Sequence, residues 1–262
     1  MNKKLLDNPL LISMMFFPRR GLRGSSRIRD ALDGTIPVGD GIEIGYRFFP
    51  HEKDSPVILY FHGNGEVASD YDTEAPYYHQ IGASLLVVDY RGYGWSTGSP
   101  LVSALMEDCD PIMAALPDIL AQAGCNGNPL YVMGRSLGSI AAIHTAHQHP
   151  DRLKGLIIES GLAHLVIWLG SKGLPQGLLS DTPDPIGNIE KMKEIHLPLL
   201  VIHGEEDTLL TVKHGQALFD ASPAAQKSIF RVPRGGHNNL LMYAGAEYHA
   251  RIARLITDSS AG

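Results

Sequence analysis

The 262-residue chain has few cysteines, few tryptophans and no apolar run long enough to cross a membrane as a helix. Its two cysteines exclude a framework of several disulfides and a four-cysteine zinc site. A net charge of -6 excludes nucleic-acid binding through overall electrostatic attraction. With 44% hydrophobic and 19% charged residues, the composition is that of an ordinary globular chain, not of a collagen-like, coiled-coil or disordered one. The length allows one large domain or two small ones.

Residues 1–30 form an apolar and basic segment in an otherwise acidic chain. Seven basic side chains and one acidic side chain give residues 1–29 a charge of +6, so the remainder carries -12. The uncharged run PLLISMMFF at 9–17 is followed by Pro-Arg-Arg instead of small residues, which argues against a signal peptide. We expect the segment to pack on the domain of a cytoplasmic protein. Contact of residues 9–29 with an anionic membrane is the alternative.

Short apolar runs recur along the rest of the chain, 31–262, separated by stretches long enough for helices. Unbroken apolar runs are typical of strands that are covered on both faces, as in a parallel sheet. Such strands are predicted at Val57–Phe61, Ser84–Asp89, Leu130–Met133, Leu156–Ile158, Leu199–Ile202 and Ser228–Val232. The alternating run Ile42–Phe48 predicts an antiparallel edge strand with one face in water.

Helices are expected between these runs. They are predicted at about 66–81, 101–123, 137–148 and 213–221, with a last helix that contains Leu241 and Leu255. Pro111 and Pro117 are expected to kink or divide the stretch 101–123. The alternation predicts an α/β protein with a doubly wound, mostly parallel sheet of about eight strands. A segment rich in Gly and Pro at about 161–190 predicts a small cap insertion.

Gly134-Arg135-Ser136-Leu137-Gly138 has the pattern G-x-S-x-G and lies between a predicted strand and a predicted helix. This context indicates a nucleophilic serine at a strained strand-to-helix turn, with Ser136 as the nucleophile. Side chains in place of the two glycines would collide with the crowded neighbouring backbone. The N-terminus of the following helix favours negative charge at the same point. A glycine-rich turn with a capping serine is the alternative.

A serine hydroxyl needs a base, and an imidazole base needs an acid to orient it. In sheets of this type the order along the chain is serine, acid, histidine. His237 follows the last predicted strand and is the predicted base. Asp207, four residues past His203, is the predicted acid. Glu159, which ends an earlier strand, is the alternative acid.

Attack on a carbonyl group creates an oxyanion that requires two positioned donors. The backbone N–H of Leu137, next to the predicted nucleophile, is one predicted donor. The backbone N–H of Asn64 is the other, because Gly63 and Gly65 allow that loop to approach a substrate closely. His62 is expected to fix this loop by hydrogen bonds. An ordinary glycine turn is the alternative for the segment.

These motifs together resemble the α/β-hydrolase superfamily, and in particular the serine hydrolases that include eukaryotic protein depalmitoylases and many bacterial esterases. The resemblance covers about residues 40–256. It rests on LYFHGNGE (59–66), DYRGYGWSTGSP (89–100), GRSLGS (134–139), HGEED (203–207) and GGHNNL (235–240). It implies the α/β-hydrolase fold and bracing of the oxyanion loop by Asp89 and Arg91.

The expected function is hydrolysis of small-molecule carboxylic esters or thioesters of small to medium acyl chain length. Ser136, His237 and Asp207 are the expected catalytic residues, and Asn64 and Leu137 the expected oxyanion donors. No metal, organic cofactor or nucleic-acid partner is implied, and the oligomeric state is not predicted. A peptidase or amidase with the same residues, and a non-catalytic binding module of the same fold, are the alternatives.

Overall fold

One eight-stranded sheet forms the centre of the described part of the chain, which comprises residues 6–127, 129–173 and 184–260 of a computed structural model. The strands are β1 Leu32–Pro37, β2 Glu43–Phe49, β3 Val57–Phe61, β4 Ser84–Val88, β5 Leu130–Arg135, β6 Gly155–Glu159, β7 Leu199–Gly204 and β8 Lys227–Val232. Their order in the sheet is β1-β2-β4-β3-β5-β6-β7-β8. β2 pairs antiparallel with β1 and β4, and the other pairs are parallel. The predicted mostly parallel, doubly wound α/β sheet is confirmed.

Helices cover both faces of this sheet. In the described ranges they are α1 Pro9–Met15, α2 Ala75–Gln80, α3 Ala104–Glu107, α4 Cys109–Gln122, α5 Ser139–Gln148, α6 Leu165–Ser171, α7 Asn188–Met192, α8 Val212–Ala221, α9 Leu240–Ala244 and α10 Ala246–Ser260. Helices α2, α9 and α10 pack on one face, and α1 and α3–α8 contribute to the core on the other. No helix in this part of the chain is both long and apolar enough to cross a membrane.

The prediction that Ile42–Phe48 is an edge strand with one wet face was wrong. The strand is antiparallel, but β1 lies outside it and occupies the edge. Arg47 of this strand is fully buried. Its guanidinium group tolerates burial because it pairs with Asp33 at 2.6 Å and with Asp72 at 2.8 Å. The sequence of β1, LDGTIP, has no apolar run that could have predicted it.

The predicted helix over 101–123 is divided, with α3 and α4 meeting at Asp108. Pro111 lies in the first turn of α4, where its missing N–H breaks no helical hydrogen bond. Pro117 lies inside α4 and leaves the carbonyl of Met113 without its helical donor. Arg152 Nη1 donates to that carbonyl at 2.8 Å, and the helix continues past Pro117.

The N-terminal segment packs on the domain through α1. Leu11, Met15 and Phe16 are buried in the same core as the sheet. The carboxylate of Asp7 accepts hydrogen bonds from the N–H and hydroxyl of Ser103 at 3.0 and 2.7 Å. In the predicted cap insertion at 161–190, the described part forms α6 and α7, and residues 174–183 lie outside the described residues.

Candidate active site

The G-x-S-x-G sequence forms a tight turn between β5 and α5. Ser136 has φ +52°, a conformation that residues with a side chain rarely adopt. A Cβ atom on Gly134 would lie 2.5 Å from the carbonyl oxygen of Gly138, and one on Gly138 would collide with the carbonyl oxygen of Phe61. Glycine is therefore required at both positions. The tight turn that these glycines allow places Ser136 directly after the carboxyl end of β5.

Ser136, His237 and Asp207 lie in one hydrogen-bonded chain. His237 Nε2 lies 2.8 Å from Ser136 Oγ, and His237 Nδ1 lies 2.7 Å from Asp207 Oδ2. The serine and the aspartate are buried, with exposed fractions of 7% and 4%. The three predicted residues thus meet at the carboxyl ends of the strands. Along the chain, 71 positions separate Ser136 from Asp207, and 30 positions separate Asp207 from His237.

The carboxylate of Asp207 is held in its charged form. Its Oδ1 accepts hydrogen bonds from the N–H groups of Leu209 and Leu210 at 2.9 and 2.8 Å. Burial alone would raise the pKa of Asp207, but interactions with His203 and His237 outweigh burial and hold the pKa well below its usual range. A negative carboxylate beside His237 Nδ1 favours the tautomer whose other nitrogen accepts a proton.

His203 belongs to this site, a role that the sequence interpretation missed. It is fully buried, and its Nε2 lies 2.7 Å from the carbonyl oxygen of Leu210 and 3.4 Å from Asp207 Oδ2. The carbonyl oxygen of Leu210 is the nearer partner of this nitrogen and makes the hydrogen bond, and the Asp207 carboxylate lies beside it. His203 therefore fixes the turn that carries Asp207, and its place as the first residue of HGEED was the available signal.

Glu159, the alternative acid, lies in a different environment. Its carboxylate accepts from Arg135 Nε at 3.1 Å and from the hydroxyl of Tyr248 at 2.5 Å. Asp207, and not Glu159, is the carboxylate hydrogen-bonded to His237.

The two expected oxyanion donors flank Ser136. Asn64 and Leu137 line the same cavity as the serine. The Asn64 side-chain oxygen accepts from the N–H of Phe17 at 2.9 Å and from the hydroxyl of Tyr93 at 2.6 Å. Within the described residues, the backbone N–H of Asn64 donates no hydrogen bond to the protein. This N–H is therefore available to an external acceptor.

His62 fixes the loop that precedes Asn64. Its ring nitrogens lie 2.8 Å from the Gly63 carbonyl oxygen and 3.2 Å from Asp89 Oδ1. Asp89 also accepts from the N–H of Ala68 at 2.8 Å, so this carboxylate braces the loop.

Arg91 does not share in this bracing, although the resemblance implied it. It pairs with Asp108 at 2.5 Å, at the junction of α3 and α4.

An apolar cavity of about 310 Å³ opens beside Ser136. Its described lining residues are Met14, Met15, Phe17, Asn64, Ser136, Leu137, Leu162, Trp168, Lys172, Leu209 and Leu210. Three of them come from the N-terminal segment, which the sequence interpretation did not place at the site. The available signal was the apolar run PLLISMMFF, from which packing on the domain or membrane contact is predicted but not a place at the site.

In the described part of the chain, no group of three or more His, Cys, Asp or Glu residues is arranged to hold a metal ion.

Comparisons with known proteins agree with the fold. A family model described as serine aminopeptidase, S33, matches residues 52–168. The chain is 29% identical to an uncharacterized protein of Mycobacterium tuberculosis, over 94% of this chain and 87% of that protein. It is 26% identical to the protein bem46 of Schizosaccharomyces pombe, over 79% of this chain and 69% of that protein.

Among solved structures, the esterase Pf2001 of Pyrococcus furiosus is similar at a TM-score of 0.72 and 19% identity. The similarity covers 92% of this chain and 98% of that one. The strand order and this structural likeness show that the chain has the α/β-hydrolase fold, with an eight-stranded, mostly parallel sheet.

Proposed function

We propose that the protein is a serine hydrolase that cleaves carboxylic esters or thioesters through an acyl-enzyme. The observation that carries this proposal is the hydrogen-bonded chain from Asp207 through His237 to Ser136, placed beside an apolar cavity. The match to a hydrolase family and the likeness to an esterase of the same fold support it.

In the first half of the proposed reaction, Ser136 Oγ attacks the substrate carbonyl carbon while His237 Nε2 takes the hydroxyl proton. Asp207 keeps the imidazole in the required tautomer and stabilises its positive form. The backbone N–H groups of Asn64 and Leu137 donate to the oxyanion. Collapse of the tetrahedral intermediate breaks the bond to the leaving group, which receives the proton from His237.

In the second half, water attacks the acyl-enzyme. His237 Nε2 takes a proton from this water, the same two N–H groups stabilise the second oxyanion, and the proton returns to Ser136 as the acid leaves. The residues named supply every proton transfer in both halves.

The cavity favours an apolar acyl group of small to medium length. Its volume of about 310 Å³ lies at the lower end of the range of small-molecule sites. Met14, Phe17, Trp168 and Leu209 give it apolar walls. A short or medium alkyl chain gains about 0.8 kcal/mol for each CH₂ group that such a wall removes from water.

An aminopeptidase is the second candidate, because the matching family model carries that description. A free α-amino group is positively charged, so its recognition needs a carboxylate close to the bound substrate. None of the described residues that line the cavity is acidic, and Lys172 supplies a positive charge instead. The cavity therefore favours the ester or thioester reaction over removal of an amino-terminal residue.

The test combines a covalent probe with two substrate panels. A fluorophosphonate is expected to label the purified protein stoichiometrically at Ser136, and Ser136→Ala should abolish labelling while the far-UV circular dichroism spectrum stays unchanged. p-Nitrophenyl esters and thioesters of graded chain length are expected to be hydrolysed much faster than aminoacyl p-nitroanilides. An unlabelled wild-type protein would support the non-catalytic binding module, and preference for the anilides would support the peptidase.

A further inference from the structure

The side chain of Arg135 lies between the segments that carry the proposed nucleophile, base and oxyanion loop. Its Nε donates to Glu159 at 3.1 Å, and its Nη1 donates to Glu66. Its Nη2 donates to the carbonyl oxygen of His237 at 3.0 Å and to Asn238 Oδ1 at 2.8 Å. One guanidinium therefore contacts four acceptors on three separate segments of the chain.

Glu66 connects this guanidinium to the proposed oxyanion loop. Its Oε2 accepts from the N–H of Gly63 at 2.7 Å and from the hydroxyl of Tyr71 at 2.8 Å. Gly63 directly precedes Asn64, and a Cβ atom on Gly63 would collide with Arg135 Nη1. The guanidinium therefore packs directly against the backbone of this loop.

Glu159 anchors the same guanidinium to the sheet. Arg135 and Glu159 are opposite each other in the register of β5 and β6, and Tyr248 of α10 holds the second carboxylate oxygen. Burial alone would lower the pKa of Arg135, but the charges of Glu159 and Glu66 raise it overall, so the guanidinium stays positive. The Arg135–Glu159 pair is largely buried, with side-chain exposures of 12% and 7%, whereas the Glu66 side chain is 27% exposed.

Four acceptors in different directions suit arginine and not lysine. A guanidinium presents five N–H donors in a rigid planar fork, whereas an ammonium group presents three donors at one point. A lysine at position 135 would keep the positive charge but could not reach Glu159, Glu66 and the His237 carbonyl oxygen together.

We propose that Arg135 is a positioning residue, which holds the His237 loop and the Gly63–Asn64 loop at fixed distances from Ser136. This inference rests on the proposed function. The residue next to the nucleophile would then set the geometry of the base and of one oxyanion donor without touching the substrate. A displacement of about 1 Å in such a constellation costs about 100-fold in rate.

The experiment compares Arg135→Lys with the matched control Arg152→Lys. Arg152 also donates to a backbone carbonyl, but it lies before the amino end of β6, away from Ser136. Active sites are counted by fluorophosphonate titration, so kcat is expressed per titrated site. A purely structural role would lower the thermal midpoint or the number of titrated sites and leave kcat per site unchanged.

The expected result for Arg135→Lys is a fall in kcat per titrated site of about 100-fold, with KM changed by less than about threefold. The inactivation rate constant for the fluorophosphonate should fall in parallel, because that reaction needs the same serine and base. Arg152→Lys should keep the wild-type kcat. A kcat per site within about twofold of wild type in Arg135→Lys would overturn the inference.

Asn238→Ala keeps the test decisive if Arg135→Lys does not fold. It removes one acceptor at an exposed loop position, and kcat per site is expected to fall about three- to tenfold. An unchanged kcat in that variant would also overturn the inference. Failure of the wild-type protein itself to react with the probe would instead refute the proposed function, so the two failures are distinguishable.

Discussion

The backbone N–H of Phe17 donates a 2.9 Å hydrogen bond to the side-chain oxygen of Asn64. This contact joins the N-terminal segment to the loop that carries a proposed oxyanion donor. A second contact lies two residues further along, where Arg19 Nε donates to the carbonyl oxygen of Gly65 at 2.6 Å. The segment before the sheet therefore contributes to both the core and the candidate site.

Deletion of residues 1–29 is expected to destabilise the protein strongly. It would expose the core surfaces that Leu11, Met15 and Phe16 cover, and each such side chain contributes about 1.5–3 kcal/mol when fully buried. The measurement is urea unfolding together with the soluble yield. A truncated chain with the wild-type unfolding midpoint and activity would show that the segment contributes to neither.

Phe17→Ala is expected to change the chain-length preference without abolishing turnover. The ring lines the cavity, so its loss should raise KM for the longer esters by about threefold to tenfold and leave that for acetate esters nearly unchanged. Leu22→Ala is the matched control, because Leu22 is also exposed in this segment but does not line the cavity. Equal profiles for the two variants would exclude Phe17 from acyl binding.

Asp207→Asn is expected to lower kcat by about 10⁴-fold, because an amide cannot hold the required imidazole tautomer or balance its positive charge. Glu206→Gln removes a charge from the exposed neighbouring position and should change kcat little. Steady-state kinetics on one p-nitrophenyl ester would measure both. Near-normal activity of Asp207→Asn would transfer the proposed role to another carboxylate, with Glu159 as the first to test.

Protonation of His249 is expected to lower stability in mild acid. The ring stacks on Tyr77 and contacts Tyr78 and Tyr248 edge to face, and burial lowers its pKa from 6.5 to about 4. The unfolded chain therefore binds the proton more readily. The stability is fully present above about pH 6.5 and is lost as the pH falls toward about 4.

His249→Phe keeps the ring packing and removes the titration. Between about pH 7 and pH 4 the wild type is expected to lose about 2–3 kcal/mol more than the variant, measured by urea unfolding at each pH. His144 and His214, whose pKa values burial also lowers to about 4, should contribute to the slope that remains in the variant, together with carboxylates of lowered pKa such as Asp207 and Glu66. Parallel pH profiles for wild type and His249→Phe would contradict this account.

The six parallel strands could be predicted from the sequence, whereas the antiparallel edge strand β1 could not. Strands such as Val57–Phe61 are covered on both faces and so consist of apolar residues only. The edge strand Leu32–Pro37 is half-buried and contains Asp33 and Gly34. It is a strand because it pairs with β2, and pairing with a distant segment leaves no pattern in the local sequence.

At the candidate site, the glycine pattern and the chain order predicted which side chains meet. Motif spacing gave Ser136, His237 and Asp207, whose geometry the structure now describes. The contacts of Arg135 and Phe17 could not be predicted, because their hydrogen-bond partners are distant in the sequence. The partners of Arg135 lie between 24 and 103 positions away, and Asn64, the partner of Phe17, lies 47 positions away.

The spread of the site along the polypeptide also matters while the chain is being made. The cavity wall at Met14 and Phe17 emerges from the ribosome first, the serine follows at residue 136, and the imidazole arrives only at residue 237. A nascent chain that ends before residue 237 would thus contain the serine hydroxyl without the proposed base. On the proposed function, acyl transfer would begin only after β8 and the loop that carries His237 had been synthesised and folded, so shorter translation products should not hydrolyse esters.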